Sequence, residues 1–169
     1  MMARGLLIVV VLLILAGGLQ AAGFGGGERN NQPIQIKSSE LTTDSANRTA
    51  TFIGKVSARQ GDVTIYCDRL VIFYSDKEKD VDKVEAFGNV RIIQGNATAQ
   101  AGHAVYENRA AKIVLDDNPR VYQGQNTVAG KVITYFLDSQ LSQATSEPGD
   151  PVKAIIYPRE KGKDGGAKR

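Results

Sequence analysis

The side chains best equipped for chemistry are few: one histidine, His103, one cysteine, Cys67, and two acidic groups, Asp76, Glu78, Asp80 and Asp82 in alternation and the pair Asp116-Asp117. A lone histidine leaves no cluster to ligate a metal and no second imidazole from which a catalytic triad could choose. It falls in the bend of a repeated segment, where another copy carries Arg69, and so reads as a solvated turn residue. The alternating acids resemble part of a calcium loop, but Lys77, Lys79 and Lys83 interleave them and Phe87 stands where the closing glutamate belongs. They read as a charged hairpin tip. The run Asp116-Asp117-Asn118-Pro119 offers the paired carboxylates of a glycosidase, yet a turn that ends one strand and starts another explains it better. Cys67 has no partner for an internal disulfide and reads as a small buried hydrophobe. Nucleophile elbow, phosphate loop and cysteine-rich zinc pattern are all missing from the sequence. These residues therefore point away from an enzyme, a metal site and a cofactor, and toward binding or scaffolding.

The pattern that organises the chain is written four times, as Ile34-Gln-Ile36-Lys-Ser38-Ser-Glu-Leu41, Val63-Thr-Ile65-Tyr-Cys67-Asp-Arg-Leu70, Ala97-Thr-Ala99-Gln-Ala101-Gly-His-Ala104 and Asn126-Thr-Val128-Ala-Gly130-Lys-Val-Ile133. The copies start 29, 34 and 29 residues apart. In each, apolar or small residues run i, i+2, i+4 and then step by three. A strand points alternate side chains to one face, so a step of three keeps the second half facing the same interior only through a bulge or bend. Gly54-Lys-Val56 and Gly88-Asn-Val90 lie in the same frame, 34 residues apart, and Gln60-Gly61, Gln94-Gly95 and Gln123-Gly124 mark the turns before or between copies. Such a chain turns corners around one apolar interior.

The elements that must position these residues are strands. From Ile34 to Asn118 there is no proline, and Val, Ile, Thr, Phe and Tyr recur with period two between turn clusters at Asp44 to Asn47, Gln60 to Asp62, Ser75 to Asp82, Gln94 to Asn96 and Asn108-Arg109. Ala104 to Lys112 has good helix propensity, but the repeat frame and the Asn108-Arg109 turn split it into strands. The fold class is all-β. The inward set is Ile36, Phe52, Val56, Ile65, Cys67, Leu70, Ile72, Val84, Val90, Ile92, Ala99, Tyr106, Leu115, Val121, Val128, Ile133 and Tyr135, with Ala86 and Ile113. Lys55, Arg59, Thr64, Asp68, Arg91 and Gln100 take the opposite face. A last strand is expected within Val152 to Tyr157. The open edges are then Ile34 to Leu41 at the start, with Val128 to Tyr135 or Val152 to Tyr157 at the end.

Residues 1–22 combine Arg4, an unbroken apolar run from Leu6 to Ala16 and a small-residue site ending in Ala21-Ala22, the pattern of a cleaved secretory signal. The run is short of the roughly 20 residues a bilayer span requires. Residues 23–32 form a glycine-rich lead-in, residues 33–158 a single domain, and residues 159–169 a disordered basic tail. Net charge is +3, yet residues 23–158 hold 15 basic against 16 acidic groups, so the alkaline balance comes from the ends. No aromatic-studded basic stripe remains, which argues against nucleic acid as a partner.

The ordered set Ile34-Gln-Ile36 with Leu41 and Asp44, Phe52-Ile-Gly54-Lys-Val56, Gln60-Gly61 with Ile65, Asp68 and Leu70, Ala86-Phe-Gly88-Asn-Val90, and Val121-Tyr-Gln-Gly124 with Gly130 and Ile133-Thr-Tyr135 resembles the OstA-like family of periplasmic lipopolysaccharide-transport proteins. The resemblance runs from Pro33 to Tyr157 and implies a bent, slot-like antiparallel β-jellyroll whose inward residues contact the acyl chains of lipopolysaccharide. It further implies head-to-tail assembly through edge strands, linking an LptC-like inner-membrane protein to an LptD-like outer-membrane protein. The alanine-rich third copy suggests a slot that widens near Ala99. The alternatives are an LptC-like relative that keeps residues 6–19 as an anchor, and a purely structural β-module whose inner face is only packed core.

Overall fold

The computed structural model describes residues 33–76 and 81–158. The expected signal segment, lead-in and basic tail, and the Lys77–Asp80 part of the acidic hairpin tip, lie outside the described residues. Twelve strands form one antiparallel sheet: β1 Gln35–Lys37, β2 Glu40–Asp44, β3 Thr49–Gln60, β4 Val63–Tyr74, β5 Val81–Gln94, β6 Ala97–Glu107, β7 Lys112–Asp116, β8 Arg120–Gln123, β9 Asn126–Ala129, β10 Val132–Phe136, β11 Leu141–Thr145 and β12 Lys153–Ile155.

The sheet folds over on itself because the long strands β3 to β6 all bend at mid-length, which divides it into two leaves. The first leaf contains β1, the second halves of β3 and β5, the first halves of β4 and β6, then β8, β9 and β12. The second contains β2, the complementary halves of β3 to β6, then β7, β10 and β11. Bulges shift the register at the bend between each pair of long strands: Gly54-Lys55 bulge against Asp68, and Gly88-Asn89 bulge against Gly102. Strands β4 and β6 make the expected step of three, Cys67 to Leu70 and Ala101 to Ala104. Strands β3 and β5 step by four across two consecutive left-handed residues, with φ of 86° and 47° at Gly54-Lys55 and 73° and 48° at Gly88-Asn89. The difference of one residue between neighbours is what forces the corner.

The first and fourth copies of the repeat do not bulge but break. Ser38-Ser39 separates β1 from β2, and Gly130-Lys131 separates β9 from β10. The first copy pairs only with β3 among the described residues, whereas the fourth is flanked on both sides and breaks at Gly130, where an added Cβ would meet the Thr145 carbonyl oxygen at 2.8 Å. The Asp117-Asn118 turn separates β7 from β8 in the same way, with φ of 58° and 60° at the two residues. Close backbone approach along the bend leaves no room for a side chain at its glycines. A Cβ on Gly54 would meet the Ser39 hydroxyl at 2.8 Å, one on Gly88 would overlap the Asp68 carboxylate, and one on Gly102 would overlap that of Asp117. The Asp68 carboxylate accepts a hydrogen bond from the Asn89 side chain at 2.8 Å, which ties β4 to the bulge of β5.

The hairpin turns at Gly61, Gly95 and Gly124 adopt positive φ of 56° to 58°, as the Gln-Gly signals required. At the Asp44 to Asn47 turn the Asn47 backbone N–H donates to the Asp44 carboxylate at 2.9 Å, and this bond holds that carboxyl below its usual range. One expectation about edges is corrected. Val128 to Tyr135 is not an edge, because β12 covers β9 and β11 covers β10. The strand β11, whose residues alternate without strong apolar character, left no periodic signal in the sequence. The open edges are β1 and β2 at one end of the sheet and β11 and β12 at the other.

Gly88→Ala combines a left-handed φ with the Asp68 clash, so it should lower stability by about 2 kcal/mol or more. Gly95→Ala, where an added Cβ meets nothing within 4 Å, should cost only about 1 kcal/mol. Denaturant unfolding of both variants checks the order; equal losses would mean that the bend does not depend on this contact.

Candidate functional site

Because both leaves turn the same strand face inward, their apolar residues line up in rows that cross the whole sheet. In the second leaf one row runs Leu41, Phe52, Leu70, Ala86, Ala104, Leu115, Ile133 and Ala144, each the register partner of the next. In the first leaf the corresponding row is Ile36, Ala58, Ile65, Ile92, Ala99, Val121, Val128 and Ala154. Every inward residue expected from the sequence lies in this interior: Val56, Ile65, Cys67, Leu70, Ile72, Val84, Val90, Ile92, Ala99, Tyr106, Leu115, Val121, Ile133 and Tyr135 are buried, and Ile36, Phe52 and Val128 are half-buried against them. Ala50 and Ala58, buried in β3, were not among the expected set, since a single alanine between polar neighbours carries little period-two signal. Leu41 keeps the inward phase but is 55% exposed, because β2 is an edge and no strand lies beyond it.

Between the leaves is a small apolar cavity of about 20 Å³, walled by Ile65 and Ile92 on one side and Leu70, Ala86, Ala104, Tyr106 and Ile113 on the other. That is room for about one water-sized probe. The expected widening at Ala99 does not occur: Ala99 is 1% exposed, packed between Ile92 and Val121 in its row.

Burial also sets the polar chemistry of the interior. Desolvation, reinforced by the neighbouring Asp68 carboxylate, pushes the Cys67 thiol up to about 11. Burial likewise raises the Tyr106 and Tyr135 phenols. The Tyr106 hydroxyl donates to the Asn108 side chain at 2.9 Å at the end of β6.

The residues first considered for catalysis stand elsewhere. His103 is not a solvated turn residue. It sits within β6 on the outer face of the second leaf, half-buried, stacked on Phe87 at 4.7 Å between ring centres and 3.1 Å through Nδ1 from the Asp116 carboxylate. Arg69 lies over the other end of this group, 4.2 Å from the Phe87 ring centre. The repeat frame explains the grouping, because Arg69 and His103 hold the same position in their copies and both are register partners of Phe87. The row Arg69, Phe87, His103, Asp116 clamps β4 to β7 beside the bend. Asp76 pairs with Arg48, and Asp82 with Arg109 at 3.0 Å, as a charged hairpin tip would. Among the described residues no group of three His, Cys, Asp or Glu side chains gathers as a metal site would require.

The two leaves close over one apolar interior, and comparison with known proteins gives the fold its family. The profile of the LptA/(LptD N-terminal domain) LPS transport protein family matches residues 35–141. The chain belongs to this family. It is 29% identical over 136 residues to the lipopolysaccharide export system protein LptA of Escherichia coli (strain K12), covering 77% of this chain and 74% of that protein. To the LptA of Haemophilus influenzae it is 26% identical over 137 residues, covering 77% and 80%. The crystal structure of LptH, described as the LptA-homologous periplasmic component of the lipopolysaccharide transport device of Pseudomonas aeruginosa, superposes with a TM-score of 0.67 at 20% identity, covering 77% of this chain and 99% of that one. The fold is therefore the antiparallel β-jellyroll of the family.

The raised Cys67 pKa means that below pH 9 the folded protein presents almost no thiolate, so alkylation by iodoacetamide at pH 8 should be slowed more than about a hundredfold relative to the chain in denaturant. Comparable rates in the two states would place Cys67 outside the packed interior.

Proposed function

We propose that this protein is an exported, periplasmic carrier of lipopolysaccharide that holds the acyl chains between its two leaves and leaves the sugars outside. The observation that supports this most is the pair of unbroken apolar rows, which contain no charged residue from Ile36 to Ala154 or from Leu41 to Ala144. Burying a lipid chain yields roughly 0.8 kcal/mol per methylene, so such a lining binds multi-acyl ligands without any fixed polar contact. An even lining also lets the ligand slide, as a carrier needs, where ionic anchors would hold it at one point.

The cavity between Ile65, Ile92, Leu70 and Tyr106, about 20 Å³, is far smaller than an acyl chain, so in this reading the leaves part there on loading. The cost is moderate, since leaf-to-leaf apolar contacts are exchanged for chain-to-leaf contacts of the same chemistry. The bend acts as the fixed side, and the hairpin tips opposite it separate.

The two ends of the sheet support a head-to-tail bridge. Among the described residues, strands β1 and β2 at one end and β11 and β12 at the other have one side unpaired, and each end presents exposed apolar residues, Leu41 at the first and Ile155, Ile156 and Tyr157 at the second. Pairing the β11/β12 end of one copy with the β1/β2 end of the next would extend both leaves and continue both rows. The same edges would receive an LptC-like protein on the inner-membrane side and an LptD-like protein at the outer membrane.

A photo-crosslinking residue at Ile65, with the outward neighbour Thr64 as control, tests the reading in cells that export the protein. A lipopolysaccharide adduct at Ile65 and not at Thr64 is the expected result. No adduct at either site in folded, exported protein would leave the interior as packed core and the chain as a structural module; adducts at both would mean that lipid is not confined between the leaves.

A further inference from the structure

The Gln-Gly pairs at the hairpin turns use their glycines for the turn, but nothing in turn chemistry asks for glutamine. Gly61, Gly95 and Gly124 supply the positive φ, and almost any residue could precede them. Gln60, Gln94 and Gln123 are the last residues of β3, β5 and β8, two positions after the inward residues Ala58, Ile92 and Val121. Strand alternation turns them inward, at the rim of the first leaf opposite the bend. Their register row is Gln60, Val63, Gln94, Ala97, Gln123 and Asn126, so the glutamines stand on alternate strands with Val63 and Ala97 between, and a further amide, Asn126, stands beside the last. Alternate strands place the glutamines about 9.5 Å apart.

Gln94 is the most telling member. It is 8% exposed, its Nε2 lies 3.4 Å from the Asp62 carboxylate, and its Oε1 has no hydrogen-bond partner among the described residues. A buried amide oxygen without a partner is a net cost to folding, and an apolar residue would fit the row better if packing were its only task. At the other end of the row the Asn126 side chain accepts from the Tyr157 backbone N–H at 2.9 Å.

We propose that this row of amides is a recognition rim for the sugar hydroxyls of the bound amphiphile, placed where chains held between the leaves would meet their headgroup. The inference rests on the carrier reading above and names the part of the ligand that the rim takes. Each amide offers both donors and an acceptor, which matches a hydroxyl. The row carries no cation, so phosphate is not what it selects. Being uncharged and repeated at one pitch, the amides can exchange one sugar for the next as the ligand moves along the slot.

The test uses the Gln94→Met/Gln123→Met double variant of the mature chain, which keeps side-chain length and removes the amides, with Gln123→Met alone as the variant at a half-buried position. Two probes are titrated: fluorescent rough-type lipopolysaccharide, and fluorescent palmitate, which has an acyl chain and no sugar. The double variant should bind lipopolysaccharide about tenfold more weakly, and the single variant about threefold, while palmitate binding holds steady and thermal unfolding does not move to lower temperature. Unchanged lipopolysaccharide affinity, or an equal loss for both probes, would overturn the sugar rim and leave the carrier reading intact. A wild-type protein that binds neither probe would bring down the carrier reading, and the rim with it.

Discussion

Everything in this molecule depends on the bend. A flat antiparallel sheet of these strands would expose its apolar face along its full width; folded at mid-strand, it covers that face with itself. The corner is made by bulges of two residues against one, and it closes tightly because glycine on one strand receives a polar side chain from the next, Ser39 over Gly54, Asp68 over Gly88 and Asp117 over Gly102. These contacts are backbone-close and hydrogen-bonded, so they resist opening more than the apolar contacts between the leaves do. In the carrier proposed here the corner is the stiff side and the tips opposite it are the side that separates, a division of labour that follows from where glycine falls in the repeat.

The interior inherits its evenness from the same geometry. Once all strands bend in phase, each inward position meets another inward position across the slot, and any charge there would be desolvated in both leaves at once. The charged side chains are accordingly pushed outward or to the tips, where several pair with one another, as Lys83 does with Glu85 and Lys112 with Glu107 at 3.3 Å. The Arg69, Phe87, His103, Asp116 row belongs to this outer layer. Its members look catalytic in isolation and are structural in context, because the histidine and the carboxylate are occupied by each other and by an aromatic ring beside the corner.

Much of this was legible in the sequence because period-two alternation is strong wherever both neighbours of a strand are present. The inward phase of β3 to β6, the step of three in β4 and β6, and the glycine turns could all be read from Val, Ile and Gly positions. Reading failed where the deciding contact was non-local. His103 was misplaced because its surroundings are Phe87 and Asp116 from two other strands. The sequence left β11 invisible because its inward face carries only Ser142 and Ala144, both half-buried, which make no strong apolar alternation, and the breaks at Ser38-Ser39 and Gly130-Lys131 leave no mark in the period-two pattern. The alanines of the third copy implied width, but Ala97, Ala99 and Ala101 are all buried in the interior.

The central claim is that the leaves part at their tips, hinged at the bend, when an acyl ligand enters. Spin labels at Asn96, at a tip of the first leaf, and Ala110, at a tip of the second, would report the separation directly by pulsed dipolar spectroscopy, with Cys67 silent in its buried position. The account predicts a longer mean distance when lipopolysaccharide is added, while a pair spanning the corner stays fixed. An unchanged tip-to-tip distance in protein shown to be saturated with lipopolysaccharide would contradict it and place the lipid somewhere other than between the leaves.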